Sequence, residues 1–228
     1  MQNTTVPQHP SEPAEAGAAF TELVQLMDTL RSPGGCPWDA EQSHESLVRY
    51  LIEESYEVVE AIEQDSGVDY ALLQEELGDV LLQVVFHARV AEEADPAQRF
   101  TVADVVAGLN EKLRRRHPHV FAGESKDLNE VRKRWEELKQ EEKPERTSIF
   151  DGIPPHLPAL ALAEKTLSKA AKGGVDVHER KSMASSTTFT TEEELGEFLF
   201  DVVAGARAQG LDPERALRAA TRRFIAEN

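Results

Sequence analysis

Apolar residues recur every three or four positions along most of the chain, the spacing of helices with one buried face, and no stretch alternates as a strand would. The spacing predicts helices over 18–30, 43–64, 70–93, 101–116, 129–142, 157–172, 192–209 and 213–226. Leu47, Leu51, Val58, Val59 and Ile62 form the apolar side of the second, and Leu73, Leu77, Val80, Leu81, Val84 and Val85 that of the third. Breaks separate them at Ser32-Pro33-Gly34-Gly35, Gly67, Asp95-Pro96, His117-Pro118 and Pro144. The expected fold class is therefore all-α. Residues 1–17 hold Pro, Glu and Thr but no Lys, Arg or apolar run, so they read as a disordered tail and not as a secretory signal. After a helical domain over 18–147, the Pro-rich IFDGIPPHLPAL reads as a linker opening a second part, 148–228, with a polar stretch over 181–191.

That second part carries an internal echo of the first. ELGDVLLQVVFHARVA, from Glu76 to Ala91, and ELGEFLFDVVAGARAQ, from Glu194 to Gln209, share eight of sixteen residues at a constant offset of 118. Leu and Val matches are ordinary helix core, but Glu-Leu-Gly and Ala-Arg in register favour a duplicated helical unit.

Composition narrows the partners. A formal charge of −17 argues against general nucleic-acid binding, because such a surface repels a phosphate backbone. Cys36 is the only cysteine, which rules out an intrachain disulfide and a thiolate metal site and suits the cytoplasm. The most apolar stretch, 80–91, is broken by Gln83, His87 and Arg89 and is too short to span a bilayer, so no membrane partner is expected.

Carboxylates are the candidate chemistry. Glu53, Glu54 and Glu57 lie in LIEESYEVVEAI, where Glu54 and Glu57 stand one helical turn apart, and Glu76 and Asp79 repeat that spacing in QEELGDVLLQ. A short connection makes the two helices antiparallel neighbours, so four carboxylates can converge. Anions that close raise one another's pKa, and a hard divalent cation resolves the conflict. A solvated acidic face is the plainer account, but Glu76 and Asp79 interrupt the apolar run 72–86. Gly78 between them costs about 1 kcal/mol relative to Ala in a helix, which a close approach of a helix or ligand, or a simple packing need, would explain.

One cluster reverses the charge. Lys112, Arg114, Arg115 and Arg116 crowd a predicted helix end in NEKLRRRHPHVF, followed by His117 and His119. Cations favour a last turn, which accounts for one or two of them; four in five residues suggest an anion site, and Arg suits phosphate. Trp135, flanked by Arg132, Arg134 and Lys139, is either core or adjacent to a base or phosphate, whereas Trp38 in the CPWD turn has a structural reading only. No phosphate-binding P-loop, G-x-S-x-G or H-E-x-x-H occurs, and a di-iron site finds one Glu-x-x-His, Glu41 to His44, where it needs two.

These blocks resemble a known family. LIEESYEVVEAI followed by EELGDVLLQVVFHA is similar to the EExxE and ExxD motifs of the MazG nucleotide pyrophosphohydrolases, and CPWDAEQ, KLRRRHPHVF and RWEELKQEEK match further blocks in the same order, over about 20–143. The resemblance implies an all-α bundle that forms a homodimer, needs Mg²⁺ with Mn²⁺ as a substitute, and converts NTP and water to NMP and PPi, removing non-standard or excess nucleotides. It implies Glu54, Glu57, Glu76 and Asp79 as metal ligands with Glu53 beside them or orienting the water. Lys112, Arg115 and Arg116 would contact the triphosphate, with Trp135 and Lys139 near the nucleotide. In two-repeat members the second unit has its own EExxE, but here the offset sets Ala171, Lys172 and Val175 opposite Glu53, Glu54 and Glu57, so the second repeat is expected to be shortened and catalytically empty. A relative restricted to dUTP or dCTP, or a non-catalytic helical regulator binding metal or nucleotide, are the alternatives.

Overall fold

The computed structural model describes residues 13–64, 66–145, 147–174 and 189–227, and among them there are ten helices and no strand. They are α1 (Pro13–Arg31), α2 (Pro37–Glu41), α3 (His44–Ile62), α4 (Tyr70–Ala91), α5 (Val102–Arg116), α6 (Pro118–Phe121), α7 (Leu128–Glu141), α8 (Ala159–Lys172), α9 (Glu192–Ala208) and α10 (Pro213–Glu227). None is long and apolar enough to cross a membrane.

The main starts are chemically marked. Ser43 caps α3 in a reciprocal capping box with Ser46, Thr101 does the same for α5 with Asp104, and the Asp69 carboxylate accepts from the Ala71 and Leu72 amides at the start of α4. Three departures from the spacing share one cause, the tolerance of proline in a first helical turn. α1 begins at Pro13, so 13–17 are helical where a tail was expected; residues 1–12 lie outside the described residues, as does most of the polar stretch 181–191. Pro37 and Pro118 each open a short helix, α2 and α6, where the sequence reads as a turn and as a break.

The chain divides into two compact units, Met1–Glu124 and Ser125–Asn228. α7, expected to close the first domain, thus belongs to the second unit. In the first unit α3 and α4 form the most extensive packing. They run antiparallel: the Asp69 amide bonds the Ala61 carbonyl at the turn, while His44 meets His87 at the far end. Met27 of α1, Leu47 of α3, Val85, Phe86 and Ala88 of α4 and Val102 of α5 make the core, with Phe20, Leu23 and Tyr50 packed against it. The predicted apolar side of α4 is only partly used. Leu77, Leu81 and Val84 remain exposed in the single chain, as do Val105, Leu109 and Leu113 on α5. In the second unit α8, α9 and α10 pack on one another.

Candidate active site

The antiparallel register of α3 and α4 sets the acidic motifs opposite one another. Carboxylate oxygens of Glu54, Glu76 and Asp79 all lie within 4.8 Å of one another, and Glu76 is only 8% exposed. Glu57 is half-buried and shares a hydrogen bond with Glu54 and with Glu76. Burial, then the Glu57 hydrogen bond and the charges of Asp79, Glu57 and Glu76, push the Glu54 carboxyl up to about 7. Glu76 is raised too, by burial first and by its acidic neighbours after. Among the described residues no Lys, Arg or His pairs with these four carboxylates. Carboxylates this close, with no cation of the protein beside them, repel one another, and a bound cation would relieve that repulsion. Glu53, the fifth acidic candidate, is exposed and outside the three-carboxylate cluster.

The space beside Gly78 is open: a Cβ there would meet nothing within 4 Å. Packing inside this chain therefore does not require the glycine, which removes one of the explanations its position suggested.

The basic candidates sit in the last turns of α5. Lys112 is exposed, Arg115 bridges Glu111 at 3.1 Å across one helical turn, and Arg116 is half-buried. Trp135 and Lys139 lie on α7 in the second unit, where Trp135 is half-buried and Lys139 pairs with Glu136 at 3.5 Å.

Two features escaped the sequence. His44 and His87, 43 residues apart, bring their Nδ1 atoms to 2.8 Å with ring planes 5° apart and centroids 5.2 Å apart. That separation barely exceeds the N···N distance plus the two ring radii, so the rings meet edge to edge and share one proton. His87 Nε2 and Gln83 Oε1 are buried without hydrogen-bond partners, and burial, then the charge of His44, lowers the His87 pKa. Arg31, its side chain 5% exposed, forks onto Glu93 at 2.8 and 3.0 Å and donates to the Asp39 carbonyl, tying α1 to α2 and to the residues after α4.

The echo of the acidic helix has a different environment. Glu194, aligned with Glu76, accepts from the Thr190 amide and hydroxyl at 2.8 Å each, and these bonds lower its pKa where that of Glu76 is raised. Ala171 and Lys172 lie on α8, and Val175 falls outside the described residues.

Comparison with known proteins now decides the family. Residues 42–121, which span both acidic motifs and the basic cluster, match the MazG nucleotide pyrophosphohydrolase domain. The nucleoside triphosphate pyrophosphohydrolase/pyrophosphatase MazG of Thermotoga maritima is 46% identical over 224 residues, covering 92% of this chain and 84% of that one. The chain belongs to the MazG family. A second MazG relative, the nucleoside triphosphate pyrophosphohydrolase of Escherichia coli (strain K12), is 39% identical over 89% of this chain and 82% of its own. A crystal structure of a mazG-related protein from Thermotoga maritima aligns with 32% identity and a TM-score of 0.44, over 53% of this chain and 98% of that one.

Proposed function

We propose that this MazG-family chain is a Mg²⁺-dependent hydrolase that converts a nucleoside triphosphate and water to the monophosphate and pyrophosphate. The observation that carries the proposal is the group of three carboxylates within 4.8 Å, lacking any cation of the protein beside it. The donor set fits the ion: carboxylate oxygens from two helices are what a hard divalent cation prefers, and Mn²⁺ would substitute. Glu54, Glu57, Glu76 and Asp79 would hold it. When bound, the ion supplies charge neutralisation for phosphate oxygens and a more acidic water.

The remaining roles fall to the chain's own side chains. Glu53, exposed beside the cluster, orients the attacking water and accepts its proton. Lys112, Arg115 and Arg116 grip the triphosphate, and Arg115 can leave Glu111 for it at little cost, since an exposed pair of this kind contributes under about 1 kcal/mol. The exposed apolar rows of α4 and α5 support a homodimer, because contiguous apolar surface of that kind is usually covered. Helices α8 and α9 form a shortened second repeat without catalysis, a view supported by Glu194 being spent on Thr190. The lone, unpaired Cys36 supports work in the cytoplasm, where the substrates would be non-standard or excess nucleotides.

The test is product analysis. Each common NTP and dNTP is incubated with protein and Mg²⁺, and the products are resolved. NMP with PPi supports the proposal; NDP with phosphate, or no turnover of any nucleotide, overturns it.

A further inference from the structure

Trp38 is 50% exposed, yet the turn that carries it is built without slack. The Cys36 amide bonds the Leu30 carbonyl at 2.7 Å, closing the end of α1. A Cβ on Gly35 would lie 2.3 Å from the carbonyl oxygens of both Leu30 and Thr29, so only glycine fits there. Arg31 holds the Asp39 carbonyl, and the Gln42 side chain donates to the Trp38 carbonyl at 2.9 Å. The indole itself meets Tyr50 edge to face, with centroids 5.8 Å apart and planes at 71°, and the Arg49 guanidinium lies over the Tyr50 ring at 4.4 Å. An aromatic needed only for the core would be buried. Here the backbone is fixed and half of the side chain is left in water.

Tyr50, Glu54 and Glu57 follow one another at i, i+4 and i+7, a single face of α3. One helical turn, a rise of about 6 Å, separates the Tyr50 position from Glu54. A nucleotide whose α-phosphate is held at the carboxylates carries its base one ribose away, a span of the same order. We propose that Trp38, braced by Tyr50, is the platform on which the nucleobase of the substrate stacks. Stacking on an indole accepts every base, because each has a π-face, so the platform serves purines and pyrimidines and favours the larger purine ring. This inference rests on the pyrophosphohydrolase proposal for the site but can fail separately from it.

The experiment titrates the full-length wild-type, Trp38→Ala and Trp38→Phe proteins with AMP, UMP and pyrophosphate, each with Mg²⁺, by calorimetry, and measures NTP turnover and sedimentation in parallel. Trp38→Ala should weaken AMP about ten- to hundredfold and UMP somewhat less, with pyrophosphate within twofold. Trp38→Phe should keep most of the affinity, which shows that a π-face is what matters and guards against a folding defect in the alanine variant. Equal weakening of AMP and pyrophosphate, no change in either, or a dimer that becomes a monomer in both variants would overturn the assignment. If the wild-type protein hydrolyses no NTP yet binds AMP through Trp38, the reaction proposal fails and the platform stands.

Discussion

Between about pH 8 and pH 6 the carboxylate cluster should lose most of its hold on Mg²⁺, a range in which ordinary carboxylates do not titrate at all. The Glu54 carboxyl sits at about 7 because of burial and its acidic neighbours. It is therefore about nine-tenths ionised at pH 8 and about one-tenth at pH 6. A carboxylate must be deprotonated to bind a cation, so the apparent Kd should rise close to tenfold, about 1.4 kcal/mol, on acidification. The sign in the metal-free protein is opposite. A pKa raised on folding favours the folded state below the unfolded value of 4.5, and that contribution is lost as pH rises through about 7, so the metal-free protein should become less stable across that window. Calorimetry with Mg²⁺ and thermal denaturation in a chelator, both across this range, read the two effects. Glu54→Gln should flatten both slopes and weaken the ion at every pH. A wild-type Mg²⁺ affinity that is constant from pH 8 to 6 would refute the convergence of charge on which the site depends.

Other expectations follow from single positions. Gly35→Ala forces a Cβ into two backbone carbonyls, which should cost on the order of 2–4 kcal/mol and lower the thermal midpoint by several degrees without altering Mg²⁺ affinity per folded molecule. Gly78→Ala meets open space, so the isolated chain should gain up to about 1 kcal/mol, read by denaturation at low protein concentration, while sedimentation should show weaker self-association if a second copy lies against that face. Lys112→Gln, at an exposed side chain, should leave the melting temperature within about a degree yet lower kcat/KM about tenfold; wild-type kinetics would return the basic cluster to helix-end electrostatics.

The long helices were legible because each carries a period, and α3, α4 and α5 also have a capping residue where the period starts. Glu54, Glu76 and Asp79 were legible for a related reason, since a spacing of three on each of two neighbouring helices leaves the side chains few places to go. Proline was the weak point. Pro13, Pro37 and Pro118 read as tail, turn and break although a first helical turn has no use for the missing N–H, and so α2, α6 and the start of α1 were missed. Pairing register was the other. His44 and His87 are individually unremarkable in sequence, and only the alignment of α3 against α4 brings their nitrogens together. Leu77, Leu81 and Val84 have core spacing, yet spacing does not say whether the covering surface belongs to the same chain. Trp38 shows the same blindness from the other side, because a rigid turn and a stacking platform are written with the same residues.

Glu76 and Glu194 descend through matching sequence into opposite circumstances, one crowded by negative charge and the other satisfied by Thr190. Glu76 of α4 and its acidic neighbours repel one another, and an ion bound to the folded form would offset that repulsion by mass action. On the proposed function, the durability of the first unit would rise with the concentration of free divalent cation. Glu194, already satisfied by Thr190, adds no such dependence of its own. One chain would thus join a glutamate whose surroundings call for an ion to an aligned glutamate that needs none.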